Sequence, residues 1–168
     1  MESEILNAVT WTIPNALCLV GSRSGDEWNG MTQSWVTQVS MDPVLIAIGV
    51  DRKAVTNRLV REGGAFSVNL WDREDTRVFR SFSKPAVREG STLNGRPVSE
   101  GSTTGVPIFD EAVAWLECRL WQTVEFETHD LFLGEVVDSG FREGGRDVPV
   151  ARMEDTRMKY GGVRRGGH

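Results

Sequence analysis

The sequence is 168 residues long, 39% hydrophobic and 26% charged, the proportions of one globular domain large enough to bury its own core. Acidic residues outnumber basic ones by 24 to 19, a net charge of −5, so no chain-wide positive field is available to gather a nucleic-acid backbone. No window approaches the roughly 18 apolar residues of a spanning helix, and "MESEILNAVTWTIPNALCLVGS" lacks a basic region followed by a clean apolar stretch, so a cytoplasmic protein without a membrane partner is expected.

In chain order, the first strand is expected at 16–22, "ALCLVGS", followed by a turn, "RSGDEWNGM", rich in loop formers. "SWVTQVS", 34–40, alternates and is ended by Met41-Asp42-Pro43. "VLIAIGV", 44–50, is apolar on both faces, as in a central strand covered on one side by the core and on the other by a helix or a second subunit, and it points to a homodimer. Residues 52–62, "RKAVTNRLVRE", align Ala54, Val55, Leu59 and Val60 on one helical face, with Asp51 as N-cap and Gly63-Gly64 as the stop. "AFSVNLW", 65–71, alternates again, and Asp72 is placed to cap a second helix, "REDTRVFRSFS", whose apolar side is Val78, Phe79 and Phe82.

From Ser83 to Asp110 regular signals vanish among prolines, glycines, serines and threonines, which predicts a long loop, either a functional lid or an insertion without a role. The longest strand signal follows at 113–126, where Ala114, Leu116, Cys118, Leu120, Val124 and Phe126 alternate with Glu117, Arg119, Trp121 and Glu125. "LFLGEVVDS", 131–139, is its expected hairpin partner, with Gly134 marking a bulge or a close backbone approach. Six or so strands and two short helices, without crossover helices between the strands, indicate a mainly β chain folded as one antiparallel barrel domain over 1–168. The Gly-rich end, "GGVRRGGH", above all residues 163–168, is expected to fray. Cys18 and Cys118 fall inside apolar strands and read as buried thiols.

Chemistry is concentrated in few places. His129 and His168 are the only imidazoles and no metal-ligand spacing is present, so no metal is expected. Nucleophile-elbow, Walker and G-x-G-x-x-G patterns are also missing. "WNGMTQSW", 28–35, sets amide and hydroxyl groups beside two indoles, enough to meet the polar edge and the faces of a planar ring. Arg52-Lys53 fall in the first turn of the predicted helix, where each cation opposes the macrodipole by about 0.3–1 kcal/mol. A phosphate held by the helix start, Arg52, Lys53 and the Thr56 hydroxyl resolves that conflict; the alternative is a pair of solvated cations neutralised by Asp51, Asp42 or Glu62.

Together these residues carry a resemblance. "NGMTQSWVTQVSMDPVLIAIGVDRKAVTNRLVREGGAFSVNLW", 29–71, resembles the signature of the flavin reductase-like, FMN-binding split-barrel family, which reads N-G-x-T-x-S, S-x-x-P, a basic residue and a hydroxyl before a helix, then G-x-F-x-V-N. "HDLFLGEVVD", 129–138, is similar to the family's G-D-H-x-x-F-x-G-x-V, with Glu127-Thr128 in place of the usual Gly-Asp. The resemblance implies a six-stranded antiparallel Greek-key split barrel with short flanking helices, a homodimer, and FMN, or FAD, near the dimer interface with NAD(P)H as co-substrate. By position, Asn29, Met31, Thr32, Gln33, Ser34 and Trp35 are expected along the isoalloxazine and ribityl chain, and Arg52, Lys53 and Thr56 on the phosphate. His129 is the candidate for placing a nicotinamide, and "MEDTRMKYGG", 153–162, makes Tyr160 a candidate beside the flavin. The implied activity is NAD(P)H-dependent flavin reduction, with an oxygenase or other acceptor as possible partner; the alternative is a flavoredoxin-like carrier exchanging electrons with a protein partner.

Overall fold

The structure, a computed structural model, describes residues 2–163. A helix α1 (Ser3–Thr10) leads into β1 (Cys18–Ser24), β2 (Glu27–Gln33), β3 (Val36–Met41), β4 (Val44–Asp51), helix α2 (Val55–Gly63), β5 (Ala65–Leu70) and the one-turn helix α3 (Val78–Ser81). Four short strands follow, β6 (Arg88–Glu89), β7 (Thr92–Leu93), β8 (Arg96–Glu100) and β9 (Pro107–Phe109), before the long hairpin of β10 (Ala114–Glu125) and β11 (His129–Phe141). No helix of the described residues is long and apolar enough to cross a membrane.

Among the described residues the main sheet is antiparallel in the order β2-β1-β5-β10-β11-β4-β3. It holds seven strands where six were expected. Its two edge strands, β2 and β3, are joined by Ser34 and Trp35 alone, so the sheet has to curl until its edges come together. At this crossing, the seam of the sheet, Gln33 Nε2 at the end of β2 donates to the Gly49 carbonyl of β4 at 2.6 Å, while the Gly49 N–H, extending the β3–β4 ladder, donates to the Trp35 carbonyl at 3.1 Å.

Two cores lie on opposite faces of the sheet. Cys18, Val20, Ile48, Phe66, Val68 and Phe132 fill one; Leu17, Leu19, Trp71, Phe79, Phe82 and Phe109 fill the other. Successive residues of β1 therefore point into different cores, which is why this stretch reads as an unbroken apolar run. Both thiols are buried and free, and burial pushes each up to about 12. Gly134 is a close approach: a Cβ there would stand 2.6 Å from the Phe66 ring and 2.8 Å from the Cys118 Cβ, next to a register slip between Leu120 and Gln122.

The expected long loop at 83–110 is instead a second sheet, β6-β7-β8-β9. Its strands are two to five residues long and are separated by turns using positive φ at Gly90, Asn94, Gly95 and Gly105, too short for a period to register in the sequence. Leu93, Val98 and Phe109 nevertheless reach the core. β5 docks this sheet with its polar face: Ser67 Oγ donates to the Pro107 carbonyl at 2.6 Å, and Asn69 Oδ1 accepts the Phe109 N–H at 2.9 Å while Nδ2 donates to the Leu19 carbonyl at 3.1 Å.

Three further expectations change. The predicted turn "RSGDEWNGM" is a hairpin closed at Gly25-Asp26, and 27–33 is strand, because Trp28, Asn29 and Gly30 are buried against α2 and the second sheet rather than exposed. The second helix shrinks to α3, flanked by turns. α2 begins at Val55 rather than 52, since the Asp51 carboxylate accepts the Lys53 N–H at 2.8 Å and holds 51–54 as a turn. α1, which the sequence reading did not foresee, carries the C-terminal segment: Trp11 Nε1 donates to the Gly161 carbonyl at 3.3 Å, and the Val163 N–H donates to Asn7 Oδ1 at 2.7 Å. The rest of the segment expected to fray lies outside the described residues.

Asn69→Ala removes the acceptor of the Phe109 N–H and a donor to the Leu19 carbonyl, so urea unfolding should show a loss of about 2–3 kcal/mol. A loss below about 0.5 kcal/mol, the usual range of surface substitutions, would contradict this docking role.

Candidate functional site

The chain crossing from β2 to β3 cannot pair with both edges at once, and beside it a cavity of about 270 Å³ opens. Met31, Thr32, Gln33 and Ser34 form one wall, Gly49 and Asp51 of β4 the next, and Phe82 and Ser83 a third. A C-terminal strap closes it with Met153, Met158, Lys159 and Tyr160. Thr32 and Gln33 hold this wall in place: the Thr32 hydroxyl donates to the Phe79 carbonyl at 2.7 Å, and the Thr32 N–H donates to the Phe82 carbonyl at 3.0 Å. The Ser34 hydroxyl, on a buried residue, makes no hydrogen bond among the described residues and lines the cavity.

A larger cavity of about 520 Å³ lies alongside, lined by Trp35, Val36, Ala47, Phe126, His129 and Leu131. Gly49 borders both, and a Cβ there would stand 3.2 Å from the indole, so glycine lets the ring lie against β4. Trp35 packs tilted against His129, centroids 5.0 Å apart, and edge-on to Tyr160 at 4.9 Å. His129 is fixed at both nitrogens: Nδ1 lies 2.9 Å from the Thr128 hydroxyl and Nε2 lies 2.8 Å from the Tyr160 hydroxyl. The structure therefore gathers Met31, Thr32, Gln33, Ser34, Trp35, His129 and Tyr160 around one seam.

Asn29 and Thr56 are elsewhere. Both are buried, and Asn29 Nδ2 donates to Thr56 Oγ1 at 3.0 Å while its Oδ1 accepts the Ala86 N–H at 2.7 Å. They tie α2 and the second sheet to β2 and do not line the cavity. Arg52 and Lys53 sit in the turn before α2, next to Asp51 of the cavity wall. That placement removes the expected conflict with the first turn, yet α2 still starts without a side-chain cap or an acidic residue in that turn. The Lys53 ammonium makes no ion pair among the described residues, while Arg52 is oriented by Asp130 at 3.8 Å and by the Phe126 carbonyl at 3.2 Å.

Asp130, beside His129, is the buried charge behind this arrangement. Arg61 reaches it at 2.7 Å and Asn57 donates to it at 2.8 Å. Burial pushes its carboxyl up, but the hydrogen bonds from Arg61 and Asn57 and the charges of Arg61 and Arg52 outweigh that, and it is held below the ordinary value. Among the described residues no three His, Cys, Asp or Glu side chains are grouped to hold a metal ion. The sequence reading missed Gly49, Ser83, Met153 and Met158. Gly49 left a signal as the glycine interrupting "VLIAIGV", and the two methionines lie within "MEDTRMKYGG".

Comparison with known proteins gives the same region a context. The family model described as "Flavin reductase like domain" matches residues 11–161. The chain is 29% identical over 155 residues to the "High molecular weight rubredoxin" of Moorella thermoacetica, covering 90% of this chain and 65% of that protein's length. It is 28% identical over 124 residues to the "NADH-dependent flavin reductase StyB" of Pseudomonas fluorescens, covering 74% and 69%. Among solved structures, flavoredoxin from Methanosarcina acetivorans superposes with a TM-score of 0.71 at 25% identity, over 91% of this chain and 90% of that one.

Because the folded value of Asp130 is depressed, its stabilisation is complete above the unfolded carboxyl value of about 3.9 and drains as pH falls through the folded value. Urea unfolding across that acid range should therefore fall less steeply for Asp130→Asn than for the parent; parallel curves would contradict the pairing.

Proposed function

The chain belongs to the flavin reductase-like domain family, and from that premise we propose that it binds FMN in the seam cavity and acts as an NAD(P)H-dependent flavin reductase. The observation that carries this reading is the meeting of motif and cavity: Met31 to Ser34, consecutive in the family-like motif, form one wall, and Tyr160 closes the opposite side. Leu17, Met31, Phe82, Met153 and Met158 offer apolar faces while Gln33 and Ser34 offer one polar edge, a donor set that fits a fused ring polar along one side. When bound, the flavin supplies a hydride acceptor for nicotinamide C4 at its N5 and a route for the electrons onward to an oxygenase or other acceptor.

The protein's part is to bind and orient. Ser34 brings an unused hydroxyl to the ring edge, and Gln33, held at Nε2 by Gly49, keeps its carbonyl oxygen for the same edge. Lys53, Arg52 and the uncapped start of α2 are the assigned phosphate grip, with Thr56 and Asn29 fixing α2 rather than touching the ligand. His129 lines the second cavity, held from the seam side by the Tyr160 hydroxyl, and a nicotinamide would approach there over Trp35. The apolar side chains that α1 and β3 leave exposed, Ile5 and Val9 at 59% and 58% and Met41 at 86%, are assigned to a homodimer contact.

A flavoredoxin-like electron carrier is the second reading. It is favoured by the Tyr160–His129 hydrogen bond, which covers the histidine from the cavity side, and by the likeness to the Methanosarcina flavoredoxin.

Anaerobic mixing of the FMN-loaded protein with NADH or NADPH decides between them: catalytic bleaching of the flavin is expected, and persistent yellow with both would identify a carrier. Protein that takes up no flavin even when FMN is supplied would refute both. Arg52→Ala with Lys53→Ala should weaken FMN by about tenfold or more, the scale of a lost charge-assisted contact, and leave riboflavin within about twofold. Equal losses for the two ligands would remove these residues from the phosphate.

A further inference from the structure

The strap that closes the seam cavity is held in two different ways along its length. At its start, backbone bonds tie it to the barrel: the Ala151 N–H donates to the Trp71 carbonyl at 2.8 Å, and the Met153 N–H donates to the Asn15 carbonyl at 3.1 Å. Beyond Thr156 the holds come from side chains. The Tyr160 hydroxyl meets His129 Nε2 at 2.8 Å, its ring rests edge-on against Trp35, and Met158 packs against the core that holds Phe79 and Phe82.

The outer side of that second half is gripped by α1, a helix that buries none of its own residues. Trp11 Nε1 donates to the Gly161 carbonyl, Asn7 Oδ1 accepts the Val163 N–H, and Lys159 Nζ lies 4.9 Å from the centre of the Trp11 ring. Gly161 and Gly162 run between α1 and Trp35 with φ of +106° and +82°. A Cβ on the first would stand 3.2 Å from the indole and one on the second would collide with Asn7, so the closed fit requires glycine at both. Neither Asn7 nor Trp11 lines the seam cavity. Their bonds act on the strap and not on whatever the cavity holds.

Hydride transfer needs its reacting atoms about 3–3.5 Å apart, with the two rings face to face. With the flavin ring in the seam cavity and the nicotinamide coming over Trp35, the side chain at the meeting point is Tyr160: it lines the seam cavity and lies against Trp35 and His129, which line the neighbouring one. We propose that Tyr160 is a gate between the two rings and that α1 is the latch that holds it shut, a proposal that rests on the flavin reading. Closed, the strap covers the flavin and keeps the nicotinamide off it. Swung out beyond Thr156, it admits the nicotinamide and lets the flavin exchange. The strength of the α1 grip then sets whether the flavin is kept between turnovers or handed on.

The test compares the parent with Asn7→Ala/Trp11→Phe, which removes both α1 bonds to the strap without touching the core. Limited trypsin digestion of the flavin-free protein should cut after Arg157 and Lys159 about tenfold faster in the variant, as loss of two hydrogen bonds implies. Stopped-flow mixing with FMN should show the association and dissociation rate constants rising together by about tenfold, with Kd within about twofold, because a looser gate speeds passage in both directions. Unchanged digestion overturns the latch. Faster digestion with FMN exchange unchanged, or with dissociation alone faster, overturns the gate. Tyr160→Phe keeps the ring and drops its bond to His129, so anaerobic reduction of bound FMN by NADH or NADPH should be about fivefold faster; unchanged or slower reduction contradicts the gate as well. A parent that takes up no FMN, with digestion still faster in the variant, would sink the flavin reading and leave the latch standing.

Discussion

Two residues, Ser34 and Trp35, connect strands that stand at opposite edges of the main sheet, and the shape of the molecule follows from that short connection. Backbone groups at a sheet edge need partners, and here the edges are brought together by curling the sheet rather than by adding strands. At the crossing the Gln33 side chain, rather than a backbone ladder, bridges the end of β2 to Gly49 of β4. The incomplete pairing leaves both the room for a cavity and the polar groups that line it. The glycine at position 49 matters because it borders both cavities and allows the Trp35 indole to lie on the sheet.

A buried carboxylate fixes the rest of the site relative to this seam. Asp130 must be compensated within hydrogen-bond reach once it has left water, and its partners come from α2 and from the turn before it. The carboxylate on β11 thereby ties Asn57 and Arg61 of α2, and Arg52 of the turn before it, to the strand that carries His129. On the opposite side α1 anchors the C-terminal strap through Trp11 and Asn7, so the chain's two ends close over the space its middle creates. The acids of the same strap are held by Arg152 and Arg73.

Much of this was legible in the residues, in proportion to how far each signal extended along the chain. β10 and β11 alternate over a dozen positions and were read within a few residues of their ends. The apolar run of β4 read as a central strand, and the motif from Asn29 to Trp71 grouped Met31 to Trp35 as one surface. The 83–110 sheet was not legible, because strands of two to five residues carry no measurable period and owe their order to Asn69 and Ser67 of another strand. "RSGDEWNGM" reads as a turn because its asparagine and glycines are turn formers, yet here Asn29 is consumed by Thr56 and Ala86, and Gly30 clears space for Phe109 and Phe82. Thr56 was read as a ligand for the same reason: a hydroxyl after two cations looks like a phosphate site until its burial is known.

The account's central claim is that the ring of a flavin lies between Met31–Ser34 and the strap. The most direct measurement is a crystal structure of the protein soaked with FMN. The account predicts isoalloxazine density against Ser34, Met158 and Tyr160, with the phosphate turned toward Lys53. Clear flavin density away from the seam, or none at saturating FMN, would contradict it.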